Sequence, residues 1–248
     1  MEKITLSIFV PCFNEEKNII KALDYIKEGL QGISYEILLV DDASKDKTIE
    51  MVEEFKKKNP DIRMKIFQNE KNKGIGFNYY ETAYKASGKY YMLINGDAVE
   101  PPSEIKKIVN NIGKADMVIT YINDKRGIFR KYISKIFVSI INLITLNNLK
   151  YYNGPNIHLL ENVKLYRGRE SRFGFQAELI IAQLRQKKTF IEIEMNPYLR
   201  SSGSSKSLTP RSIFTVILSL TLIFLNQIIY LVRKILKTNW ITLYCTKK

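Results

Sequence analysis

The chain has 248 residues, of which 45% are hydrophobic and 26% charged, and its formal net charge is +14. This length suits one generous α/β domain with an appendage, and the composition excludes a largely disordered chain. Two distant cysteines, Cys12 and Cys245, and the single histidine His158 exclude a disulfide framework and a zinc site. The basic charge fits phosphorylated substrates, anionic lipids or nucleic acid. Because no nucleic-acid-binding motif is present, we expect no nucleic-acid partner.

The first 110 residues alternate short apolar runs with amphipathic segments. Strands are predicted at Leu6–Val10, Tyr35–Val40, Met64–Phe67 and Tyr90–Ile94. Helices are predicted from a cap at Asn14 through Ile26, over Thr48–Lys57, from Phe77 to Ser87 and after the pair Pro101-Pro102. This alternation is typical of βαβ units and predicts an α/β fold with a mostly parallel sheet.

Acidic side chains follow the ends of two predicted strands. Asp41 and Asp42 come directly after the second strand, and Asp97 follows the fourth. Ligands of open parallel sheets bind at the carboxyl ends of the strands. Carboxylates at this edge suit a hard cation, such as Mg²⁺, that neutralises a phosphorylated leaving group.

Four motifs in the same half carry a family resemblance. They are Val10-Pro-Cys-Phe-Asn-Glu15, Val40-Asp-Asp-Ala-Ser-Lys-Asp46 with Thr48, Asn72-Lys-Gly-Ile-Gly76, and Asn95-Gly-Asp97. In order and spacing they resemble the family 2 glycosyltransferases, over roughly residues 4–110. The resemblance implies a GT-A fold and an inverting transfer of a sugar from a nucleotide-sugar donor.

The resemblance also assigns roles to single positions. Pro11, Phe13 and Glu15 are implied to line the nucleotide pocket, Asp42 with Asp41 to contact the base or ribose, and Gly96 to lie at the cofactor site. Asp97 is implied to bind Mg²⁺ or Mn²⁺ on the diphosphate. Asn95 stands where the family has its first acid, and its amide oxygen can ligate with less negative charge. Glu100 can compensate in part, so the metal dependence stays open.

The second half resembles a narrower branch, the polyprenyl-phosphate glycosyltransferases. The matching residues are Pro101-Pro102, Arg130 and Ser134 on one helical face, Asn142, and Arg200-x-x-Gly203-x-Ser205-Lys206. The resemblance implies that Arg130 and Ser134 hold a lipid phosphate, since an arginine and a hydroxyl at positions i and i+4 can bind one oxyanion. Arg200 and Lys206 are implied to neutralise phosphates.

The acceptor decides whether the reaction needs a general base. A phosphomonoester is largely ionised at neutral pH and needs none, whereas a hydroxyl acceptor needs one near its oxygen. Glu178 is the residue placed to act as that base, and a structural acid at a helix start is an equal interpretation. Three hypotheses follow: transfer to a polyprenyl phosphate, which is preferred, transfer to a saccharide or other hydroxyl, and a nucleotide-sugar-binding or scaffolding protein without turnover.

The C-terminal part is predicted to associate with a membrane. Ile213–Val232 carries no charge and is long enough to cross a bilayer or lie in its interface, with basic residues on both sides. We expect a catalytic domain over 1–207, with a nucleotide-sugar half at 1–110 and an acceptor half at 111–207, and a membrane-associated segment at 208–248. Met1–Phe9 lacks the pattern of a signal peptide, which predicts a cytosolic catalytic domain.

Overall fold

The computed structural model describes residues 3–122, 128–166, 174–198 and 210–236, without the side chains of 128–130 and 210–214. Its strands are β1 Leu6–Cys12, β2 Tyr35–Asp41, β3 Arg63–Gln68, β4 Tyr90–Leu93, β5 Met117–Ile122, β6 Ile157–Leu159 and β7 Phe190–Met195. Its helices are α1 Ile19–Gly29, α2 Thr48–Lys58, α3 Ile75–Lys85, α4 Pro102–Val109, α5 Ile128–Thr145, α6 Leu160–Leu165, α7 Phe175–Arg185 and α8 Pro210–Ile235.

One seven-stranded sheet runs through both halves of the chain, in the order β3-β2-β1-β4-β6-β5-β7. The neighbours β3, β2, β1 and β4 are parallel to one another, and β7 is parallel to β5. The short strand β6 is antiparallel to both β4 and β5. The predicted α/β architecture with a mostly parallel sheet is therefore confirmed.

The strands β1 and β4 are almost fully buried and mostly apolar, because helices cover both faces of the sheet. On one face, Ile8 and Val10 of β1 pack in a cluster with residues of α1, α2 and α4. On the other face, Phe9 packs with residues of α3, α6 and α7. A third cluster joins β5 to α5, α7 and α8 through Ile119, Ile141 and Ile223. Helix α8 is thereby attached to the domain along part of its length.

The structure moves the starts of two predicted helices. Helix α1 begins at Ile19, and Asn14 does not cap it: Asn14 has a positive φ of 56° and lies in a loop. Helix α3 begins at Ile75, two residues before the predicted start at Phe77. In both places the preceding residues make hydrogen bonds to the loops that follow β2, and those contacts set where the helix starts.

Pro11 lies inside β1, one residue before its end, and not beyond it as predicted. The Pro11 carbonyl accepts a hydrogen bond from the Gly96 N–H at 3.2 Å, so the proline nitrogen also faces the β4 side. Pairing between β1 and β4 stops at Phe9. The missing N–H of Pro11 therefore falls at the end of the paired stretch of β1, which is why the strand tolerates it.

Two strands of the second half were not predicted, β5 and β6. Strand β6 has three residues and places His158 in the middle of the sheet, fully buried. His158 Nδ1 lies 2.9 Å from Gln183 Nε2 on α7. Burial lowers the pKa of His158 to about 4, so the ring is neutral at physiological pH.

Candidate active site

The chain changes direction on the sheet between β1 and β4. From β1 it proceeds outward to β2 and β3 and then returns to β4 on the other side of β1. At such a switch point the loops that follow the two strands separate and leave a crevice at their carboxyl ends. The segments that border it are 13–18 after β1, 42–47 after β2 and 94–101 after β4.

Backbone-to-side-chain hydrogen bonds join the loops that follow β1 and β2. The Asn14 N–H donates to Ser44 Oγ at 2.8 Å, and the Lys45 N–H donates back to Asn14 Oδ1 at 2.8 Å. The Glu15 N–H donates to Thr48 Oγ1 at 2.9 Å. Ser44 and Thr48 of the second motif thus hold the first motif in place.

The acidic pair at the end of β2 is buried and engaged in the protein. Asp41 is fully buried, and its carboxylate accepts hydrogen bonds from the hydroxyl and the N–H of Ser44. Asp42 is 6% exposed and accepts hydrogen bonds from the N–H groups of Lys73 at 2.8 Å and Gly74 at 2.9 Å. Asp42 therefore shapes the third motif, and a contact of either acid with a nucleotide stays a prediction.

Pro11, Phe13 and Glu15 lie at the carboxyl end of β1, where the sequence placed the nucleotide pocket. All three are partly exposed. Glu15 Oε2 accepts a hydrogen bond from Asn18 Nδ2 at 2.8 Å, which fixes the carboxylate beside the start of α1. The three residues lie on the β1 side of the switch point, and their role toward a nucleotide stays a prediction.

The loop after β4 passes close to the end of β1. A Cβ atom on Gly96 would lie 3.0 Å from Ile19 Cδ1 and 3.1 Å from the Pro11 carbonyl oxygen, so glycine permits the close approach. Asn95 and Asp97, on either side of it, are partly exposed. Ala98 then has a positive φ of 57° and turns the chain back.

Glu100 ends this loop with a buried carboxylate that is 3% exposed. Its Oε1 accepts a hydrogen bond from Asn95 Nδ2 at 3.2 Å. Its Oε2 is buried and makes no hydrogen bond within the described residues. The pKa of Glu100 is raised to about 8, mainly because the carboxyl group is buried and also because Asp97 carries a negative charge nearby.

These side chains fit a hard divalent cation. Asp97, Glu100 and Asn95 offer two carboxylates and one amide oxygen, the donors that Mg²⁺ and Mn²⁺ prefer. The buried Oε2 of Glu100 is a ready acceptor. Across the described part of the chain there is no group of three or more histidine, cysteine, aspartate or glutamate side chains that could hold a metal.

The predicted acceptor residues fall into two groups. Ser134 is partly buried on α5, and Arg130 lies four residues earlier on the same helix, where its side chain is not described. Arg200 and Lys206 lie outside the described residues. Asn142 donates from Nδ2 to the Leu149 carbonyl at 2.8 Å, so it closes the turn that follows α5.

Glu178 lies in the first turn of α7 and is 8% exposed. Its Oε2 accepts a hydrogen bond from the Tyr166 hydroxyl at 2.9 Å. The Tyr166 ring lies 5.8 Å from the ring of Tyr80, which is halfway along α3. Glu178 also lines a narrow crevice between α7 and α8 with Arg185. These contacts place it within the helical layer, and its role as a base stays a prediction.

A model of the family described as glycosyl transferase family 2 matches residues 7–162. The chain belongs to this family.

Curated relatives agree with that membership. The dolichol-phosphate mannosyltransferase of Pyrococcus furiosus is 28% identical over 214 residues, which cover 81% of this chain and 58% of that protein. The dolichyl-phosphate β-glucosyltransferase of Dictyostelium discoideum is 27% identical over 129 residues, covering 48% of this chain and 39% of that protein. The family 2 chain thus spans less than two thirds of the length of these relatives.

The fold is shared with glucosyl-3-phosphoglycerate synthase of Mycobacterium tuberculosis, solved with Mn²⁺, UDP and glucosyl-3-phosphoglycerate. The TM-score is 0.66 at 15% identity, and the match covers 88% of this chain and 80% of that chain. The predicted GT-A fold of this family 2 chain is therefore confirmed.

The sequence prediction missed Asn69. Asn69 Nδ2 lies 2.9 Å from Asp42 Oδ1 and 2.8 Å from Asn78 Oδ1, so it connects β3 to the acidic pair and to α3. A signal was present: Asn69 directly follows β3, as the acids follow β2 and β4. Polar residues that directly follow parallel strands are candidate site residues, because the carboxyl ends of these strands lie at one edge of the sheet.

Proposed function

We propose that this chain is an inverting glycosyltransferase that moves a sugar from a UDP- or GDP-sugar to a polyprenyl phosphate at the cytosolic face of a membrane. The observation that carries the proposal is family 2 membership combined with Asp97 and Asp42 on loops at either side of the switch-point crevice. In this fold class the crevice is the place where a nucleotide fits.

The donor is proposed to lie across the carboxyl ends of β1, β2 and β4. Pro11, Phe13 and Glu15 border the base and ribose, and Asp42 keeps the adjoining loop closed through its bonds to Lys73 and Gly74. Asp97 and Asn95 would hold Mg²⁺ or Mn²⁺ at the diphosphate of the donor. The cation supplies neutralisation of the charge that develops on the leaving group.

The reaction is proposed to be one in-line displacement. An oxygen of the lipid phosphate forms a bond to the anomeric carbon, the bond from that carbon to the diphosphate oxygen breaks, and the nucleoside diphosphate leaves. The configuration at the anomeric carbon inverts. Because the phosphate is largely ionised at neutral pH, no proton has to be removed from the attacking oxygen.

Two observations support a phosphate acceptor over a hydroxyl acceptor. The relatives from P. furiosus and D. discoideum carry dolichol phosphate in their names. Glu178, the candidate base for a hydroxyl, is buried and accepts a hydrogen bond from Tyr166. Arg130, Ser134, Arg200 and Lys206 are proposed to bind the phosphates, since guanidinium, hydroxyl and ammonium groups suit oxyanions.

Helices α5 and α8 support a membrane location. Thr215–Ile235 is the one helical stretch in the described residues that is long and apolar enough to cross a bilayer, and 17% of its most apolar window is buried in the protein. Large apolar side chains are also exposed on α5, such as Leu143, together with the basic Lys131 and Lys135. Apolar groups beside lysines favour contact with anionic lipid.

Transfer with matched acceptors tests the proposal. The full chain in detergent or liposomes is incubated with Mn²⁺ and labelled UDP- or GDP-sugars, and either a polyprenyl phosphate or the corresponding polyprenol. We expect label in the organic phase with the phosphate, none with the alcohol, and loss of transfer in Asp97→Asn. Transfer to the alcohol but not to the phosphate would contradict the proposed acceptor.

A further inference from the structure

Glu100 lies where it can make up for the acid that is absent at position 95. Asn95 and Glu100 are joined by the hydrogen bond from Asn95 Nδ2 to Glu100 Oε1, at 3.2 Å. The second oxygen of Glu100 is buried and has no hydrogen-bond partner among the described residues. A carboxylate oxygen that is buried without a partner has lost its hydrogen bonds to water. It is destabilised unless a cation or a proton binds to it.

The backbone of the loop explains how a residue five positions later returns to Asn95. Gly96 donates its N–H to the Pro11 carbonyl at 3.2 Å, which fixes the start of the loop on β1. Ala98 adopts a left-handed conformation, φ 57°, which reverses the chain. Pro101 follows Glu100 and disfavours a helical backbone there.

The C-terminal part of the loop, near Val99, is also fixed by a hydrogen bond. The Tyr198 N–H, from the segment that follows β7, donates to the Val99 carbonyl at 2.8 Å. Pro102 then occupies the first turn of α4, where its missing N–H has no helical partner to lose. The carboxylate of Glu100 is therefore carried on a fixed loop and not on a freely moving one.

The charges also fit this arrangement. Asp97 lies close enough for its negative charge to act on the Glu100 carboxyl. Neighbouring carboxylates repel each other, and a bound divalent cation would remove that repulsion. An Asp–Asn pair alone offers a cation one carboxyl group, whereas Asp97, Asn95 and Glu100 together offer two.

We propose that Glu100 supplies the second carboxylate of the metal site, in place of the acid absent at position 95. This inference rests on the proposed function, because it assumes that Asp97 binds the divalent cation of the donor. The carboxylate that the family has at position 95 is thus supplied from position 100. The Asn95 amide NH₂ orients Glu100, and the Asn95 amide oxygen is a further ligand.

Mn²⁺ binding to the full chain tests the inference without an activity assay. Free Mn²⁺ is measured by electron paramagnetic resonance, with Mn²⁺ alone and with UDP or GDP added. Glu100→Gln keeps the size of the side chain and removes its charge, so we expect the Mn²⁺ Kd to rise about tenfold or more, as for other changes at metal sites. Glu104→Gln, which removes a neighbouring acid paired with Lys107, is the matched control and keeps the wild-type Kd.

Exchanging the acid and the amide between positions 95 and 100 provides a second test of the inference if one single variant folds poorly. In Asn95→Asp combined with Glu100→Gln, the acid returns to position 95 and the net charge of the site is unchanged. We expect the double variant to bind Mn²⁺ within about threefold of wild type. A double variant that binds far more tightly than wild type would mean that Glu100 contributes no charge, and the inference would be wrong.

Asp97→Asn separates this inference from the proposed function. If Asp97→Asn weakens Mn²⁺ binding and Glu100→Gln does not, Glu100 is not a ligand and the inference alone fails. If neither substitution changes Mn²⁺ binding, the metal site of the proposed function fails with it. Thermal unfolding of every variant shows whether a changed Kd reflects the site or a loss of folded protein.

Discussion

The carboxylate of Asp42 accepts a hydrogen bond from the backbone N–H of Gly74 at 2.9 Å. Asp42 comes directly after β2, and Gly74 precedes the first residue of α3 with a positive φ of 85°. One buried side chain thereby connects two of the four sequence motifs. The loop that borders the donor crevice and the start of α3 depend on the same group.

Replacing Asp42 tests this connection. In Asp42→Asn, an amide NH₂ has to face a backbone N–H where a carboxylate oxygen was, and we expect a loss of about 2 kcal/mol in the free energy of unfolding. The affinity for UDP or GDP falls as well, because the 69–74 loop loses its anchor. Denaturant unfolding and calorimetric titration measure the two effects.

Asp24→Asn is the control for this substitution, since Asp24 is exposed on α1. We expect it to change neither quantity. If Asp42→Asn had the stability and nucleotide affinity of the control, the proposed role of Asp42 in closing the loop would be wrong.

Glu178→Gln distinguishes the two possible acceptors. Its carboxylate is held by Tyr166, and a glutamine can accept the same hydrogen bond. With a phosphate acceptor, we therefore expect transfer within about threefold of wild type, since no base is required. A loss of about a hundredfold or more, in the range that general-base catalysis contributes, would favour a hydroxyl acceptor.

The single histidine makes the stability of the fold depend on pH. Burial lowers the pKa of His158 from 6.5 to about 4, so the folded state favours the neutral ring. The unfolded state then binds more protons between those values, and the free energy of unfolding falls as the pH drops from 6.5 toward 4. The buried neutral His158 therefore makes the free energy of unfolding about 3 kcal/mol higher above pH 6.5 than below pH 4.

His158→Gln removes this titration and keeps a polar side chain beside Gln183. Denaturant unfolding over pH 4–7 should show a shallower dependence in the variant than in the wild type, by about one proton. Equal slopes would mean that other groups cause the pH dependence.

Helix α8 should determine membrane association. Phe224 and Ile228 lie four residues apart on one face of α8 and are 49% and 43% exposed. We expect Phe224→Glu combined with Ile228→Glu to reduce flotation with anionic liposomes strongly, because charges on a lipid-facing side are costly. Phe190→Glu, at a 39% exposed position on the edge strand β7, is the control and should float as the wild type does. Full flotation of the double variant would exclude this face of α8 from lipid contact.

The first half of the fold could be predicted because its signals are local. The ends of the first four strands were predicted within about two residues, which is the usual accuracy for element ends. Strand β6 could not be found this way, since three residues give no period and its pairing with β4 and β5 is non-local. Strand β5, Met117–Ile122, was missed although its β-branched residues are typical of a strand.

At the site, the residue types were predicted and their contacts were not. The motif that contains Asp41 and Asp42 was found from spacing, but its bonds to Ser44, Lys73 and Gly74 depend on the approach of separate loops. Similarly, the sequence shows that Glu100 is close to Asp97 along the chain, but it does not show the contact of Glu100 with Asn95. The left-handed turn at Ala98 brings its carboxylate back to Asn95.

The chemical identity of the product tests the central claim most directly. The full chain, with Mn²⁺, a polyprenyl phosphate and the donor that it uses, should yield a lipid with the mass of one added sugar, joined through a phosphodiester and of opposite anomeric configuration to the donor. Mass spectrometry gives the mass, ³¹P nuclear magnetic resonance shows the phosphodiester, and ¹H nuclear magnetic resonance of the anomeric centre gives its configuration. Retained configuration, or a sugar attached to a hydroxyl while the lipid phosphate stays a monoester, would contradict the account.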